Sequence, residues 1–343
     1  MDKADKRDHS LDVLKGIGIL LVIWGHTSRN SELTSSFHMP LFFMAVGAAY
    51  VYSHSGWDWK KKMKTLWVPY FFFSVVFFLY WFFIESRIRP VHEVDFYSFL
   101  NMGAAGKQFV NIFFAFDFEH AFAYDVVLWF LPCLAVTHWL LCAICKYTDN
   151  CAFRLFCCVV LCPAVYYLCI HPYSVRLPFC AELSLLAVPF AYIGFAAYRS
   201  EWLMRCVDLH YRWILFALLS FSVLLYVAGF WTGVGFYNHV LPSFYTFYFA
   251  SVTGTFIVWL VSKKCSSIKP LRWLGRNCLL LMCVHEPVKR IVIKVVSVIL
   301  HWDTEAVREN TATCFVVLII VVLVSIPVIE LTNRKIPFVL GKF

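Results

Sequence analysis

The sequence predicts an all-α integral membrane protein, a polytopic bundle of about ten transmembrane helices, and three observations carry that expectation. Hydrophobic residues make up 61% of the 343 positions and charged ones 15%, with a mean hydropathy of +0.71. A soluble domain is about half apolar and a quarter charged. Apolar stretches of about twenty residues, the length that crosses a bilayer, recur between charged or Pro/Gly-rich breaks. Lys and Arg gather in alternate breaks, as the excess of basic residues in cytoplasmic loops requires.

The expected helices run over 11–28, 37–54, 65–85, 126–144, 152–170, 183–199, 212–230, 242–262, 276–299 and 311–332. The first is "LDVLKGIGILLVIWGH", apolar apart from Asp12, Lys15 and His26. The second opens on "FHMPLFF", and the third follows the lysines at 60, 61, 62 and 64. The ninth carries Lys289, Arg290 and Lys294, so it is expected to end early or lie partly at the interface. The tenth, "FVVLIIVVLVSIPVI", is the most continuously apolar.

With the N-terminus inside, twenty of the thirty basic residues fall on the inward side. Both termini are then cytoplasmic, which an even number of helices requires. The longest loop, 86–125, lies outside and holds Glu93, Asp95, Asp117, Glu119, His120 and Asp125. The charged N-terminus and the first apolar run have no signal-peptidase pattern, so the first helix is expected to stay in the protein. No repeat or low-complexity tract divides the chain, which reads as one membrane-embedded domain over 1–343.

The +9 formal charge is the positive-inside signal and calls for no nucleic acid. Most of the 14 cysteines sit in apolar runs, where a thiol acts as a small hydrophobe. Cys142 and Cys145 form a CxxC with no second Cys or His pair at ligand spacing, so no metal is expected.

On the first helix, eleven residues separate Lys15 from His26, which leaves the two side chains about 20° apart and about 16 Å along the axis. Asp12 lies one turn below Lys15, within reach of an ion pair. Such groups are costly in lipid, so this face should look into the bundle or a wet cavity. The alternative places Asp12 and Lys15 at the headgroups, with Lys15 snorkelling, and His26 wet at the outer surface. His38 and Pro40 begin the second helix at the same outer end, and Arg29 lies one turn beyond His26.

These segments resemble the membrane-bound acyltransferase-3 family, in particular its fucose 4-O-acetylase-like branch. The family's basic residue, ten intervening residues and His on the first helix correspond to Lys15 and His26. "FHMPLFFMAVG", "KKKMKTLWVPYFFF", "LWFLPCLA" and "LGRNCLLLMCVHEPV" follow in the family's order, with Ala45 and Val46 where Ile and Ser are common and Thr65 where Arg is frequent. The resemblance implies O-acyl transfer, usually of acetyl, from acyl-CoA to a hydroxyl of a cell-surface or lipid-linked glycan, with the first-helix histidine essential.

The chemistry fits those residues. A sugar hydroxyl needs a base to take its proton as it attacks a thioester, and imidazole titrates near neutrality, so His26 is the expected general base. An acyl-imidazole intermediate is the alternative. His38 or Arg29 would stabilise the oxyanion. Asp12 and Lys15, with Lys61, Lys62 and Lys64, would hold acetyl-CoA, the donor, entering from the cytoplasm. Trp129 would stack on a sugar or sit in the aromatic belt, and His285 and Glu286 would contact the acceptor.

The rival function is a transporter or flippase for a glycan or lipid-linked intermediate, although no paired half-repeats are visible. No Gly-x-Ser-x-Gly and no P-loop occurs. The absence of any N-x-S/T acceptor agrees with a bacterial inner membrane. Acyl-CoA, a glycan acceptor and membrane lipid are the expected partners, and the sequence assigns no oligomeric state.

Overall fold

The structure is a computed structural model that describes residues 8–52, 59–86, 104–116, 122, 124–173, 175–227 and 244–341. Among the described residues it is helical throughout, with no strand. Helix α1 is His9–Thr27, capped by the Asp8 carboxylate, which accepts from Ser10 N–H at 2.8 Å. Helix α2 is His38–Tyr52, and α3, Trp59–Tyr80, runs on into the wide turn Trp81–Glu85. Helix α4 is Ala104–Phe114. Asp125 caps the turn Val126–Trp129 that leads into α5, Phe130–Tyr147. Helix α6 covers Cys151–Tyr173 with two wide stretches, and α7 is Ala181–Arg199. Then come α8, Glu201–Val227; α9, Phe244–Lys264; α10, Lys269–Arg276; α11, Cys278–Leu300; α12, Thr304–Glu309; and α13, Thr311–Lys335.

Every expected helix has a helix in its place, with shifts that have physical reasons. Helix α8 starts at Glu201 but breaks at His210 (φ −114°, ψ 22°), so the span expected from 212 begins just beyond that kink and a shorter segment carrying Arg205 and Asp208 precedes it. The stretch 86–125, expected to be a loop, contains α4, which places Phe109 and Phe113 on one face and buries Gln108 and Asn111 on another. Helices α10 and α12 are too short and polar to register as apolar runs. Glu93, Asp95, Asp117, Glu119 and His120 lie outside the described residues.

Seven helices of the described residues are long and apolar enough to cross a membrane, which makes this an all-α polytopic membrane protein. Three expected spans fall short of that standard. The described residues of helix α2 number 15 and rise about 22 Å, against a hydrocarbon thickness of about 30 Å. Helix α9 is diluted by Tyr, Ser and Thr. Helix α11 carries Glu286, Lys289, Arg290 and Lys294.

The described chain gathers into two compact units. The first holds residues 1–56, 190–281 and 292–323, and its core includes Val13, Ile19, Val22 and Ile23 of α1 with Leu41 and Phe43 of α2. Here α10 crosses α1 backbone to backbone. A Cβ on Gly275 would overlap the Asp12 carbonyl, and one on Gly16 the Leu271 carbonyl, so only glycine allows the approach. The second unit holds 57–189, 282–291 and 324–343. In it Tyr70 Oη donates to Asn111 O at 3.2 Å, joining α3 to α4. Ser184 Oγ donates to Cys133 O at 3.0 Å, joining α7 to α5.

Candidate active site

In the first unit, α1 ends where the sequence places its histidine. Thr27 Oγ1 donates back to Ile23 O at 2.7 Å, and Ser28 N–H closes the last turn on Trp24 O at 2.9 Å. The carbonyls left over at this end meet Arg308 of α12, whose Nε donates to Thr27 O at 3.2 Å and whose Nη2 donates to His26 O at 3.4 Å. His26 itself is half-buried. Arg29 is held apart from the helix end by Glu305, with Nε and Nη2 at 2.7 and 2.6 Å from the carboxylate.

His38 begins α2 and is buried. Its Nδ1–H donates to Thr34 O at 2.7 Å, which fixes the tautomer and leaves the Nε2 lone pair as an acceptor. The ring packs on Gly25, where a Cβ would sit 3.5 Å from His38 Cε1. This contact sets the His38 imidazole beside the residue that precedes His26. The turn before His38 is braced from α9, where Ser251 Oγ donates to Ser36 O at 2.6 Å. Two imidazoles thus belong to one end of one unit, while the guanidinium nearest the α1 terminus belongs to Arg308 rather than Arg29.

At the other end of α1 the expected ion pair is formed. Lys15 Nζ lies 3.5 Å from Asp12 Oδ1, and Arg276 Nε donates to Asp12 Oδ2 at 3.3 Å. The Asp12 side chain is 2% exposed, whereas those of Lys15 and Arg276 are 30% and 46% exposed. Asp12 therefore faces inward and holds two cations that remain open to a ligand. Sequence reasoning passed over Arg276, although it stands in the late Gly-Arg segment. What brings it to Asp12 is the glycine crossing of α10 on α1.

The second unit holds Trp129, His285, Glu286 and Lys64. Trp129 is 4% exposed, so neither face of its ring is open to a sugar or to the lipid interface. His285 is fully buried, and its Nδ1–H donates to Met282 O at 3.0 Å. Glu286 is locked: Lys289 Nζ lies 2.7 and 2.8 Å from its two oxygens, and Arg290 Nε donates to it at 3.2 Å. Arg290 also clasps Glu85 of the third span at 3.0 and 3.1 Å. Lys64 is exposed on α3, and the side chains of Lys61 and Lys62 lie outside the described residues.

Asp125 adds to this second cluster. It is fully buried; Oδ1 accepts from Val127 N–H at 3.1 Å, and Oδ2 has no hydrogen-bond donor among the described residues. Burial, then the nearby Glu286, raises its carboxyl well above the ordinary range, with Arg290 and Lys289 opposing.

A family model described as an acyltransferase domain, that of the acyltransferase-3 family, matches residues 8–330. No curated protein and no solved structure gives a significant match. The match spans nearly the whole chain, and the chain belongs to that family: it is a multi-pass membrane acyltransferase.

Proposed function

We propose that this acyltransferase-3 protein moves an acyl group, acetyl in the first instance, from cytoplasmic acyl-CoA to a hydroxyl of a cell-surface or lipid-linked glycan. The observation that supports it is the arrangement of α1: an imidazole pair at one end, and at the other two partly exposed cations held on a buried Asp12. A bacterial inner membrane is the setting this reading adopts.

His26 is the general base. It takes the hydroxyl proton as the oxygen attacks the thioester carbonyl; the C–S bond then breaks, and the thiolate leaves with a proton returned from the imidazolium. His38, neutral with its lone pair at Nε2, is the second proton acceptor, and it would have to be protonated there to donate to an oxyanion. Arg29, committed to Glu305, supports the loop beyond α1, and Arg308 supplies the positive charge near His26. Lys15 and Arg276 bind the donor's phosphates, with Asp12 positioning both; Lys61, Lys62 and Lys64, expected from the sequence to hold the same donor, belong to the second unit and are not part of this site.

Membranes carrying matched amounts of wild type, His26→Ala or Lys15→Ala, supplied with labelled acetyl-CoA, test the reading. We expect wild type to transfer label to glycan, His26→Ala to lose about 10²–10⁴ of kcat, and Lys15→Ala to raise the KM for acetyl-CoA more than it lowers kcat. Equal transfer by wild type and His26→Ala overturns the assignment of the base. No transfer by any variant, with glycan reaching the outside only when the protein is present, overturns acyl transfer in favour of transport.

A further inference from the structure

In the second unit, two cations serve three carboxyl groups. Lys289 Nζ lies 2.7 Å from Glu286, Arg290 Nε lies 3.2 Å from the same carboxylate, and Arg290 Nη1 reaches Glu85 at 3.0 Å. These four side chains are 5–21% exposed, so their charges must be offset within the protein. Asp125, fully buried at the entry to α5, is the third carboxyl. The charged groups that act on it are Glu286, Arg290 and Lys289, all from α11, and Glu85 acts through Arg290; no third cation faces it among the described residues.

With Asp125 ionised, the cluster holds one negative charge more than its cations offset, in surroundings that screen charge poorly. One proton restores the balance. Oδ1 is already engaged with Val127 N–H at 3.1 Å, whereas Oδ2 has no hydrogen-bond partner among the described residues, so Oδ2 is where the proton fits. Two more buried groups stand by without a formed hydrogen bond among those residues: the hydroxyl of Tyr124, next to Asp125 in the chain, and that of Ser74, which faces Tyr124. Hydroxyls both donate and accept, so a proton on Asp125 has somewhere to go.

We propose that this cluster is an exchangeable proton-binding site, with the proton on Asp125 Oδ2, and that loss of the proton draws Arg290 from Glu85 to the Asp125 carboxylate. Only the O–H bond breaks, the proton passing to water, while the guanidinium changes partners. Glu85 closes the turn Trp81–Glu85 that extends α3, so its tie to α11 holds at low pH and loosens as pH rises. Polar side chains buried in membrane spans are where proton relays are found. The site goes beyond the acyl-transfer reading and stands without it.

The test is infrared difference spectroscopy of the full chain in lipid nanodiscs, titrated between about pH 5 and pH 10, with hydrogen exchange of residues 81–86 read by mass spectrometry on the same samples. Wild type is expected to show one protonated-carboxyl stretch that fades as pH rises, and Asp125→Asn, which keeps the acceptor for Val127, lacks it. Glu85→Gln frees Arg290 for Asp125 and moves the midpoint down by about one pH unit. At the high end of the range residues 81–86 exchange faster in wild type than in Asp125→Asn, and at the low end they exchange equally. The inference is overturned by a wild type that shows no such stretch or one that never fades, or by the same stretch in Asp125→Asn. A midpoint unmoved by Glu85→Gln, or equal exchange in wild type and Asp125→Asn at high pH, overturns it as well.

Discussion

The buried cluster around Glu286 makes a quantitative prediction. Glu286 and Lys289 have side chains 5% and 8% exposed and lie 2.7 Å apart, one turn from each other on α11. Replacing Glu286 by Gln keeps the volume but removes the charge that compensates a buried ammonium, a loss of about 3–5 kcal/mol when one partner of a buried pair is deleted. Arg290 escapes most of the damage, because Glu85 still holds it at 3.0 Å. Lys289→Met alone should cost a similar amount by stranding Glu286, less whatever Arg290 recovers at 3.2 Å. The double variant replaces the pair with groups that need no counter-charge, so it should be more stable than the sum of the single effects by about 1–3 kcal/mol. The assay is a double-mutant cycle of unfolding in mixed micelles, followed by circular dichroism. Single losses below about 1 kcal/mol, or effects that add within about 0.5 kcal/mol, would refute the view that these residues form one buried electrostatic unit.

Three other outcomes are expected. Gly275→Ala forces α10 off α1, costs about 1–3 kcal/mol of stability, and weakens acyl-CoA binding through displacement of Arg276, as thermal melting and donor KM would record. Arg308→Ala removes the donor to the His26 and Thr27 carbonyls, so helix-end stability should fall by about 1 kcal/mol while kcat drops and donor KM stays constant. Asp125→Asn keeps the acceptor for Val127 N–H and removes an ionisable group whose folded-state carboxyl titrates above the unfolded one. Such a group holds its full contribution below the unfolded range and loses it as pH rises, so the variant should melt higher than wild type at about pH 7–8 and match it near about pH 4.

Hydropathy made the helices of this chain legible, because one apolar run per crossing is a local property. The ends were less so: the polar segment that opens α8 is helical yet too charged for a hydropathy reading, which begins only past the kink at His210. Along α1 the sequence also exposed the Asp12–Lys15 pair, since three residues on a helix decide it. Arg276 could not be read the same way. It reaches Asp12 from 264 positions away, across a crossing that depends on Gly16 and Gly275. His38 gave a partial signal, as Thr34 stands four residues before it, but only the turn geometry selects Nδ1 as the donor. Glu286, Lys289 and Arg290 have the spacing of a charge cluster on one helix face, while Glu85 comes from 205 positions away. Trp129 looked like a surface aromatic because tryptophan so often anchors at the interface, and packing buried it.

The most direct test of the central claim is mass spectrometry of the surface and lipid-linked glycans from cells that express either wild type or His26→Ala at equal levels. Acyl transfer with His26 as base predicts glycans heavier by one acetyl group per modified hydroxyl in the wild type, and none of this increment with His26→Ala. Glycans of identical mass in both, with their amount at the surface following the protein, would contradict it.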